Sequence, residues 1–286
     1  MIATHLFGGL GNQLFQFATG LALAARRGVE LRLDERYFDV PRSGDFIMNH
    51  FGHDIPYIDR KRLPAMRHDG LFRYVRDKIQ GTDWKLYTEH TLGFDPAVMD
   101  LPDGTYLKGY WQSEKYFRDH ADLVRKHLPI STPPSPPNAA MMKAQDKTFP
   151  VSLHIRRGDY ITNAKFNSTH GTCDLDYYER AVSHIAENCN EDMTIFAFSD
   201  EPDWVEENLK LPFDIKVTRD NEGLKCYEDI RLMSRCRHHI VANSSFSWWG
   251  AWLNADPDKI VVAPKQWFAD PNMQDHDLVP DDWVTL

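Results

Sequence analysis

Two arginines and an aspartate follow a short apolar segment near the middle of the chain, where residues 151–160 read VSLHIRRGDY. A guanidinium group offers a planar fork of N–H donors that matches the oxygens of a phosphate, and it keeps its charge at neutral pH. Arg156 and Arg157 therefore suit an anionic ligand such as a phosphate better than they suit a dry core. The alternative is an arginine pair that caps carbonyl groups or bridges surface acids.

Two further polar segments occupy equivalent positions. Ser199 and Asp200 follow the apolar segment 194–198, and residues 243–247 follow the apolar segment 239–242. Ligands of open α/β sheets bind beyond the carboxyl ends of the strands. The three polar segments are therefore predicted to face one crevice.

The third of these segments consists of Asn243, Ser244, Ser245, Phe246 and Ser247. It opens a predicted helix at residues 248–254, so its hydroxyls and backbone N–H groups lie at a helix N-terminus, which suits phosphate. Ordinary N-capping would account for one serine and leave two. With the arginines nearby, we interpret the segment as part of a phosphate or pyrophosphate site.

A glycine-rich turn near the N-terminus is the second candidate for a binding loop. It follows a predicted strand at residues 2–7 and contains Gly8, Gly9, Gly11, Asn12 and Gln13. Glycines let the backbone approach a ligand closely, but the spacing is not the G-x-G-x-x-G of dinucleotide sites. A tight strand-to-helix turn explains the pattern equally well.

The elements that must position these residues alternate between strand and helix. Strands are predicted at 2–7, 30–34, 151–155, 194–198, 215–217, 239–242 and 260–263, and a further strand opens the segment 105–117. Helices are predicted from Leu14 to a Gly28 cap, near 123–128, and at 176–190, 204–209, 226–235 and 248–254. Residues 37–101 are irregular. This alternation predicts an α/β fold with parallel, doubly wound sheets.

A proline-rich segment divides the pattern. Five prolines fall within residues 129–137, and such a run favours extended geometry over the interior of a helix or sheet. We predict two Rossmann-like domains that face a cleft, an N-terminal α/β domain over 1–137 and a second domain over 138–286. A length of 286 residues allows each to bury its own core.

Composition excludes several classes of protein. The net charge of −9 argues against a nucleic-acid partner, which needs a basic face. The chain has no apolar run long enough to span a bilayer, and it opens MIATHLFGG without a secretion signal, which predicts a cytoplasmic protein. Four cysteines without C-x-x-C spacing predict reduced thiols rather than a zinc site or a disulfide framework.

Three Asp-x-Asp tripeptides could be read as ligands for Mg²⁺ or Mn²⁺. They are Asp174–Asp176, Asp256–Asp258 and Asp275–Asp277. None follows the carboxyl end of a predicted strand beside the arginines, and Asp174 stands where a helix N-cap is wanted. We therefore predict no metal site.

Five motifs in order carry a resemblance to a known family. They are GGLGNQLFQFA, GYWQSEKYF, HIRRGDY, FSDEPDW and NSSFSWWGAWL, and they span the chain from Gly8 to about Pro264. This set resembles the bacterial α-1,2-fucosyltransferases, which are glycosyltransferases of the two-Rossmann (GT-B) type. The resemblance implies inverting transfer of fucose from GDP-β-L-fucose to the 2-hydroxyl of a terminal galactose of a glycan, without a required metal or other cofactor. It assigns the acceptor side to the domain over 1–137 and GDP-fucose binding to the domain over 138–286. It is also compatible with a loose association of the protein with an acceptor that is linked to a membrane.

The resemblance also implies roles for individual residues. By position, Arg156 corresponds to the arginine that grips the donor's diphosphate, with His154 and Asp159 shaping that loop. Donor contacts are implied for Asn243, Ser244, Ser245, Phe246 and Ser247, and a role in the cleft loop for Gly8, Gly9, Gly11, Asn12 and Gln13. Arg157 is expected either to join the site or to hold Asp159 or a neighbouring acid, because consecutive side chains at a strand end point apart.

Three questions stay open on the sequence alone. A general base is not singled out among His5, Asp34, Asp159 and Asp200. An α-1,6- or protein O-fucosyltransferase, or a transferase of another GDP-deoxysugar, remains an alternative enzyme. A nucleotide-sugar-binding module without turnover is an alternative of a different class.

Overall fold

The structure is a computed structural model that describes residues 1–40, 44–59, 84–189, 191–273 and 276–286. The chain forms two compact units, Met1–Pro129 and Ile130–Leu286. Each unit contains one parallel sheet with its own buried core. The predicted α/β fold is thereby confirmed.

The division between the units comes earlier than the predicted boundary at residue 137. Pro136 and Pro137 lie in the first turn of helix α3 (Pro136–Gln145). Proline is tolerated there because the first N–H groups of a helix have no partner within the helix, so its missing N–H costs no hydrogen bond. The guanidinium group of Arg231 donates to the carbonyl oxygens of Ile130 and Thr132. These contacts tie most of the proline-rich segment to the second unit.

The first unit contains a four-stranded sheet among its described residues. Its elements are β1 (Ile2–His5), α1 (Leu10–Arg27), β2 (Leu31–Asp34), β3 (Lys85–Thr88), β4 (Thr105–Lys108) and α2 (Ala121–His127). The strand order is β2-β1-β4-β3, and all three pairings are parallel. β1 therefore has β2 on one side and β4 on the other, and the loops after these three strands are neighbours.

Helix α1 starts earlier than the sequence predicted. It begins at Leu10, so Gly11, Asn12 and Gln13 belong to its first turn rather than to a glycine-rich loop. Of the three glycines in the predicted turn, Gly8 alone, at φ 77°, has the left-handed backbone that favours glycine. The predicted end is confirmed, because Gly28 closes the helix at φ 63° and donates its N–H to Ala24 and Ala25.

The second unit contains a six-stranded sheet. Its helices after α3 are α4 (Gly158–Thr162), α5 (Ala164–His170), α6 (Leu175–Asn188), α7 (Pro202–Asn208), α8 (Tyr227–Ser234) and α9 (Ser245–Trp252). Its strands are β5 (Phe149–Ile155), β6 (Met193–Ser199), β7 (Asp214–Val217), β8 (His238–Ile240), β9 (Val261–Ala263) and β10 (Val284–Thr285). The order β10-β9-β8-β5-β6-β7 is parallel throughout.

This order places a topological switch point between β5 and β8. From β5 the chain moves outward through β6 and β7, and it then crosses to the other side to form β8, β9 and β10. The crevice of a doubly wound sheet lies at such a point, beyond the carboxyl ends of the strands. The arginine pair follows β5 and residues 243–247 follow β8, so the fold brings both to this edge.

Five elements were absent from the sequence prediction, and α3, which starts inside the proline-rich segment, is one of them. β3 is a largely exposed edge strand and β10 has two residues, so neither carries a buried apolar pattern. α4 and α5 fall in the segment predicted as a loop, and their short, mostly polar sequences have no apolar face of helical period. Among the residues that the structure describes, no helix combines the length and apolar character needed to cross a membrane.

Candidate functional site

Arg156 stands at the carboxyl end of β5 between two carboxylates. Its Nη2 lies 2.7 Å from Asp159 Oδ1, and its Nη1 lies 3.0 Å from Asp200 Oδ2. The side chain is one-third exposed, and its guanidinium carbon lies 5.4 Å from the centre of the Tyr160 ring. Each terminal nitrogen carries two N–H groups and uses one of them in these ion pairs, so the guanidinium keeps donors for an external anion.

Arg157 points to different partners. Its Nε donates to Glu201 Oε2 at 2.9 Å, and its guanidinium carbon lies 3.7 Å from the centre of the Trp204 ring. The expectation that Arg157 holds a neighbouring acid matches this geometry, and the acid is Glu201 rather than Asp159. Trp204 closes the FSDEPDW motif, but no role was predicted for its ring.

Asp200 joins the two arginines. Its Oδ1 accepts the backbone N–H of Arg157 at 3.0 Å while its Oδ2 pairs with Arg156. The carboxylate can approach because residue 158 is glycine: a Cβ atom there would lie 2.6 Å from Asp200 Oδ2. Ser199 has a local role, with its hydroxyl accepting the N–H of Glu201. Three carboxylates thus face two guanidinium groups, and an incoming anion must compete with Asp159 and Asp200 for Arg156.

His154 is a buried neutral residue at this edge. It is 4% exposed, its ring centre lies 5.6 Å from that of Phe246, and its Nδ1 has no hydrogen-bond partner among the described residues. Burial lowers the pKa of His154 to about 3, assisted by Arg156 and opposed by Asp200. The contact with Phe246 shows that the carboxyl end of β5 and the first turn of α9 meet.

The pKa of His154 predicts a loss of stability in mild acid. Below the ordinary histidine pKa of 6.5 the unfolded chain binds a proton that the folded chain refuses until the pH falls to about 3. The free energy of unfolding therefore decreases as the pH falls through this window, by at most about 1.4 kcal/mol per pH unit for one proton. We expect His154→Gln to flatten this dependence in urea titrations between pH 7 and 4.

The matched control is His90→Gln, because His90 is exposed. Buried His239, whose pKa is also lowered by burial, contributes in the same direction and keeps part of the slope in the variant. An unchanged slope in His154→Gln would contradict the buried, neutral state of His154.

Residues 243–247, which follow β8, include three buried side chains and two partly exposed ones. Asn243 is buried, and its Nδ2 donates to the carbonyl oxygens of His170 (2.8 Å) and Trp267 (3.2 Å), so its amide holds neighbouring loops together. Ser244 caps α9 through Phe246 N, and buried Ser247 donates to Ser244 O. Ser245 and Phe246 are the partly exposed members. The helix begins at Ser245, three residues earlier than predicted.

The N-terminal residues form a tightly bonded turn. Gln13 is fully buried, and its Nε2 donates to the carbonyl oxygens of Gly8 (3.0 Å) and Asp45 (2.9 Å) while its Oε1 accepts Ile47 N. Asn12 Oδ1 accepts from Gln112 Nε2 at 2.7 Å. Gly9 is the N-cap residue of α1 and has no side chain to bond the helix. Gly11 is buried in the first turn of α1. Gln13 therefore acts as an internal brace between the segments around Gly8 and Asp45.

A buried charged network lies at the same end of the first sheet. The carboxylate of Asp34 accepts bonds from Arg36 N, Arg36 Nε, Arg36 Nη2 and the Tyr106 hydroxyl, and His5 Nδ1 lies 3.4 Å from its Oδ2. Burial alone would raise the pKa of Asp34, but the bonds from His5, Arg36 and Tyr106 outweigh it and hold the pKa well below its ordinary value. Asp34 is therefore too fully bonded to serve as a general base.

Sequence reasoning missed one titratable carboxyl group in the second unit. Burial raises the pKa of Asp229 to about 7, although a 2.7 Å bond from Asn221 Nδ2 lowers it. Asn221 also exchanges bonds with Asn138, at 2.8 and 2.9 Å. Asp229 is in the first turn of α8, which leads from β7 to β8 and so starts at the carboxyl edge. No sequence pattern singled it out, because the same helix also carries Glu228 and Arg231.

Two of the three Asp-x-Asp tripeptides are committed to other contacts. Asp174 caps α6 by accepting Tyr177 N at 2.8 Å, as predicted, and Asp176 pairs with Arg180. Asp256 accepts Asp258 N at 3.0 Å and pairs with Arg237. Asp275 lies outside the described residues. No group of three or more histidine, cysteine, aspartate or glutamate side chains able to hold a metal ion occurs within the described part of the chain.

Comparison with known proteins decides the family. The model of glycosyl transferase family 11 matches residues 1–286. The chain belongs to glycosyl transferase family 11. It is 32% identical to an α-1,2-colitosyltransferase of Escherichia coli, covering 100% of this chain and 99% of that protein. It is also 32% identical to the O-antigen biosynthesis glycosyltransferase WbnK of E. coli, covering 98% and 99%.

More distant members of the family include mammalian enzymes. The galactoside α-(1,2)-fucosyltransferase 1 of Gorilla gorilla gorilla is 25% identical, over 90% of this chain and 66% of that protein. The expected family resemblance is therefore confirmed, and this family 11 member is a glycosyltransferase.

Solved fucosyltransferases share the fold. Arabidopsis thaliana FUT1 in complex with GDP aligns with a TM-score of 0.53 at 11% identity, covering 92% of this chain and 70% of that one. NodZ from Bradyrhizobium aligns with a TM-score of 0.50 at 14% identity, covering 87% and 91%. At these identities the likeness shows the fold alone.

Proposed function

We propose that this family 11 glycosyltransferase moves L-fucose from GDP-β-L-fucose to the 2-hydroxyl of a terminal galactose in a glycan, with inversion at the anomeric carbon. The full-length match to the family is the observation that carries the proposal. The Arg156 cluster at the switch point of the second sheet supports it, because it offers guanidinium donors where an α/β sheet binds its ligand.

Arg156 has the central part in the proposed reaction. Cleavage of the bond between sugar and phosphate develops negative charge on the departing GDP, and fixed donors that face this charge lower the barrier. Arg156 is fixed by Asp200 and supplies such donors, while the start of α9 at Ser245 adds the positive end of a helix dipole. Asp159 is 41% exposed and is the carboxylate more easily displaced by the diphosphate.

A transferase of another GDP-deoxysugar is the second candidate. The 32% identity to the E. coli α-1,2-colitosyltransferase over the whole chain favours it. Colitose differs from fucose in lacking the 3-hydroxyl. A site built to bond that hydroxyl rejects the deoxy analogue strongly, whereas a site without such a bond discriminates weakly.

The test is a GDP-release assay that pairs each donor with each acceptor. GDP-fucose and GDP-colitose are offered with lactose, N-acetyllactosamine and methyl β-galactoside, and NMR of the product identifies the new linkage. We expect an α-1,2-fucosylated galactoside. Transfer from GDP-colitose with at least tenfold higher kcat/KM would replace the first proposal with the second. GDP binding without release from either donor would favour a binding module.

The reaction is expected to proceed without a divalent metal. We expect Arg156 and the N-terminus of α9 to neutralise the diphosphate in place of a cation, and two of the Asp-x-Asp pairs already serve as caps and ion pairs. Initial rates should therefore persist in excess EDTA. Loss of most turnover on chelation, restored by Mg²⁺ or Mn²⁺, would contradict this and reopen the aspartate pairs as ligands.

A further inference from the structure

Three neighbouring strand ends of the first sheet each present an aromatic side chain. Phe7 follows β1, Tyr37 follows β2 and Tyr110 follows β4. The rings are in contact, with centres 5.9 Å apart for Phe7 and Tyr37 and 4.9 Å apart for Phe7 and Tyr110. We name these three residues the aromatic cluster.

The aromatic cluster differs from the core aromatics of the same unit. Phe15, Phe17 and Tyr106 are fully buried, whereas Phe7 and Tyr37 are partly exposed and Tyr110 is 40% exposed. Aromatic side chains gain most from complete burial, so a contiguous exposed set is a feature of binding surfaces rather than of cores. The cluster also lies beyond the carboxyl ends of parallel strands, where α/β sheets bind ligands.

Two polar side chains, of which Gln16 is buried and Glu89 is partly exposed, hold the backbone that carries two of the rings. Gln16, which is fully buried, accepts Phe7 N at 2.9 Å and donates to Phe7 O at 3.3 Å. Glu89 accepts the N–H groups of Tyr110 and Trp111 at 2.6 and 2.9 Å. A ligand-binding surface gains affinity when its groups are held in place before binding.

The loop that carries Tyr110 is strained. Trp111 has φ 58°, a left-handed conformation that bulky side chains rarely adopt, and it is 1% exposed. A Cβ atom at Gly109 would lie 2.4 Å from Glu89 Cβ, so only glycine fits there. The same backbone conformation therefore accompanies both the burial of Trp111 and the exposure of Tyr110. Backbone strain of this kind persists where a site requires it.

We infer that the aromatic cluster binds the pyranose ring of the galactoside acceptor. One face of a galactopyranose presents C–H groups, which stack on the electron-rich face of an aromatic ring, while its hydroxyls remain free for polar contacts. A pocket for such a ligand combines aromatic walls with a few polar groups. The partly exposed Tyr37 adds its hydroxyl to this cluster as one such group. The inference rests on the proposed function, because that function makes a galactoside the acceptor.

Tyr110→Ala is the principal test, because an exposed side chain can be removed without emptying the core. We expect the KM for lactose to rise about tenfold or more, with the KM for GDP-fucose and the slow hydrolysis of GDP-fucose without acceptor unchanged. Tyr110→Phe retains the ring and should stay within about twofold of wild type. Tyr57→Ala is the matched control: it removes the same residue type, also 40% exposed, from the same unit.

Saturation-transfer NMR with methyl β-galactoside separates this inference from the proposed function, because it needs no turnover. If the wild type binds methyl β-galactoside and this binding is weaker in Tyr110→Ala but not in Tyr57→Ala, the result supports acceptor binding by the aromatic cluster. This holds even if fucose is not the donor sugar. Absence of galactoside binding to the wild type overturns the inference. A rise in the KM for GDP-fucose alone, or equal kinetics in Tyr110→Ala and wild type, also overturns it, since the rings would then serve the donor or only pack.

Discussion

Arg156→Ala is expected to reduce kcat/KM for GDP-fucose by roughly 10²–10³-fold, as removal of one fixed donor to a developing charge does in other enzymes. The guanidinium contacts a diphosphate in both ground and transition states, so the affinity for GDP should fall as well. The loss is larger than that of a neutral hydrogen bond because Asp159 and Asp200 lose their shared cation and face the incoming anion unpaired. Steady-state kinetics and GDP titration measure both effects.

Two variants serve as controls for this prediction. Arg156→Lys retains the charge but not the fork that pairs with two carboxylates, so it should rescue only part of the loss. Arg157→Ala removes an arginine bonded to Glu201 and packed on Trp204, and its effect should be much smaller. Wild-type affinity and rate in Arg156→Ala, or a larger loss in Arg157→Ala, would assign the diphosphate to another group.

The position of the candidate site at one edge of the second sheet was predictable from local sequence. The segment 151–155 is a buried strand bounded by Pro150 and Gly158, and its polar residues come at the carboxyl end. Parallel pairing then brings the loops after β5, β6 and β8 to the same edge, and no further information is needed. The family resemblance added the donor and the roles of individual residues.

What the sequence could not predict depends on contacts between distant residues. The partner of Arg157 could not be chosen between Asp159 and Glu201, because the choice depends on how Asp200 approaches over Gly158. Asn243 is predicted to contact the sugar donor, and no local pattern shows that its Nδ2 also donates to carbonyl groups 73 and 24 residues away. Similarly, the left-handed backbone at Trp111 accompanies hydrogen bonds from the N–H groups of Tyr110 and Trp111 to Glu89, and no local pattern predicts these bonds.

Asp34→Asn should lower the free energy of unfolding by about 3–5 kcal/mol, the usual effect of removing one partner from a buried ion pair. Asp34 is 1% exposed and Arg36 is 7% exposed, so the variant removes the carboxylate from a buried ion pair. The Tyr106 hydroxyl and His5 face the same position and lose a charged acceptor. Urea unfolding at pH 7 measures the change. Asp176→Asn, which breaks an exposed pair with Arg180, should cost no more than about 1 kcal/mol.

The pH dependence distinguishes this network from a packing defect. The pKa of Asp34 is lowered in the folded state, so its contribution is complete above the ordinary aspartate pKa of 3.8 and is lost as the pH falls through the lower folded value. The difference in unfolding free energy between wild type and Asp34→Asn should therefore be constant from pH 7 to about 5 and shrink in stronger acid. A difference that persists unchanged to the acid limit would mean that the variant acts through side-chain packing and that Asp34 carries no stabilising charge.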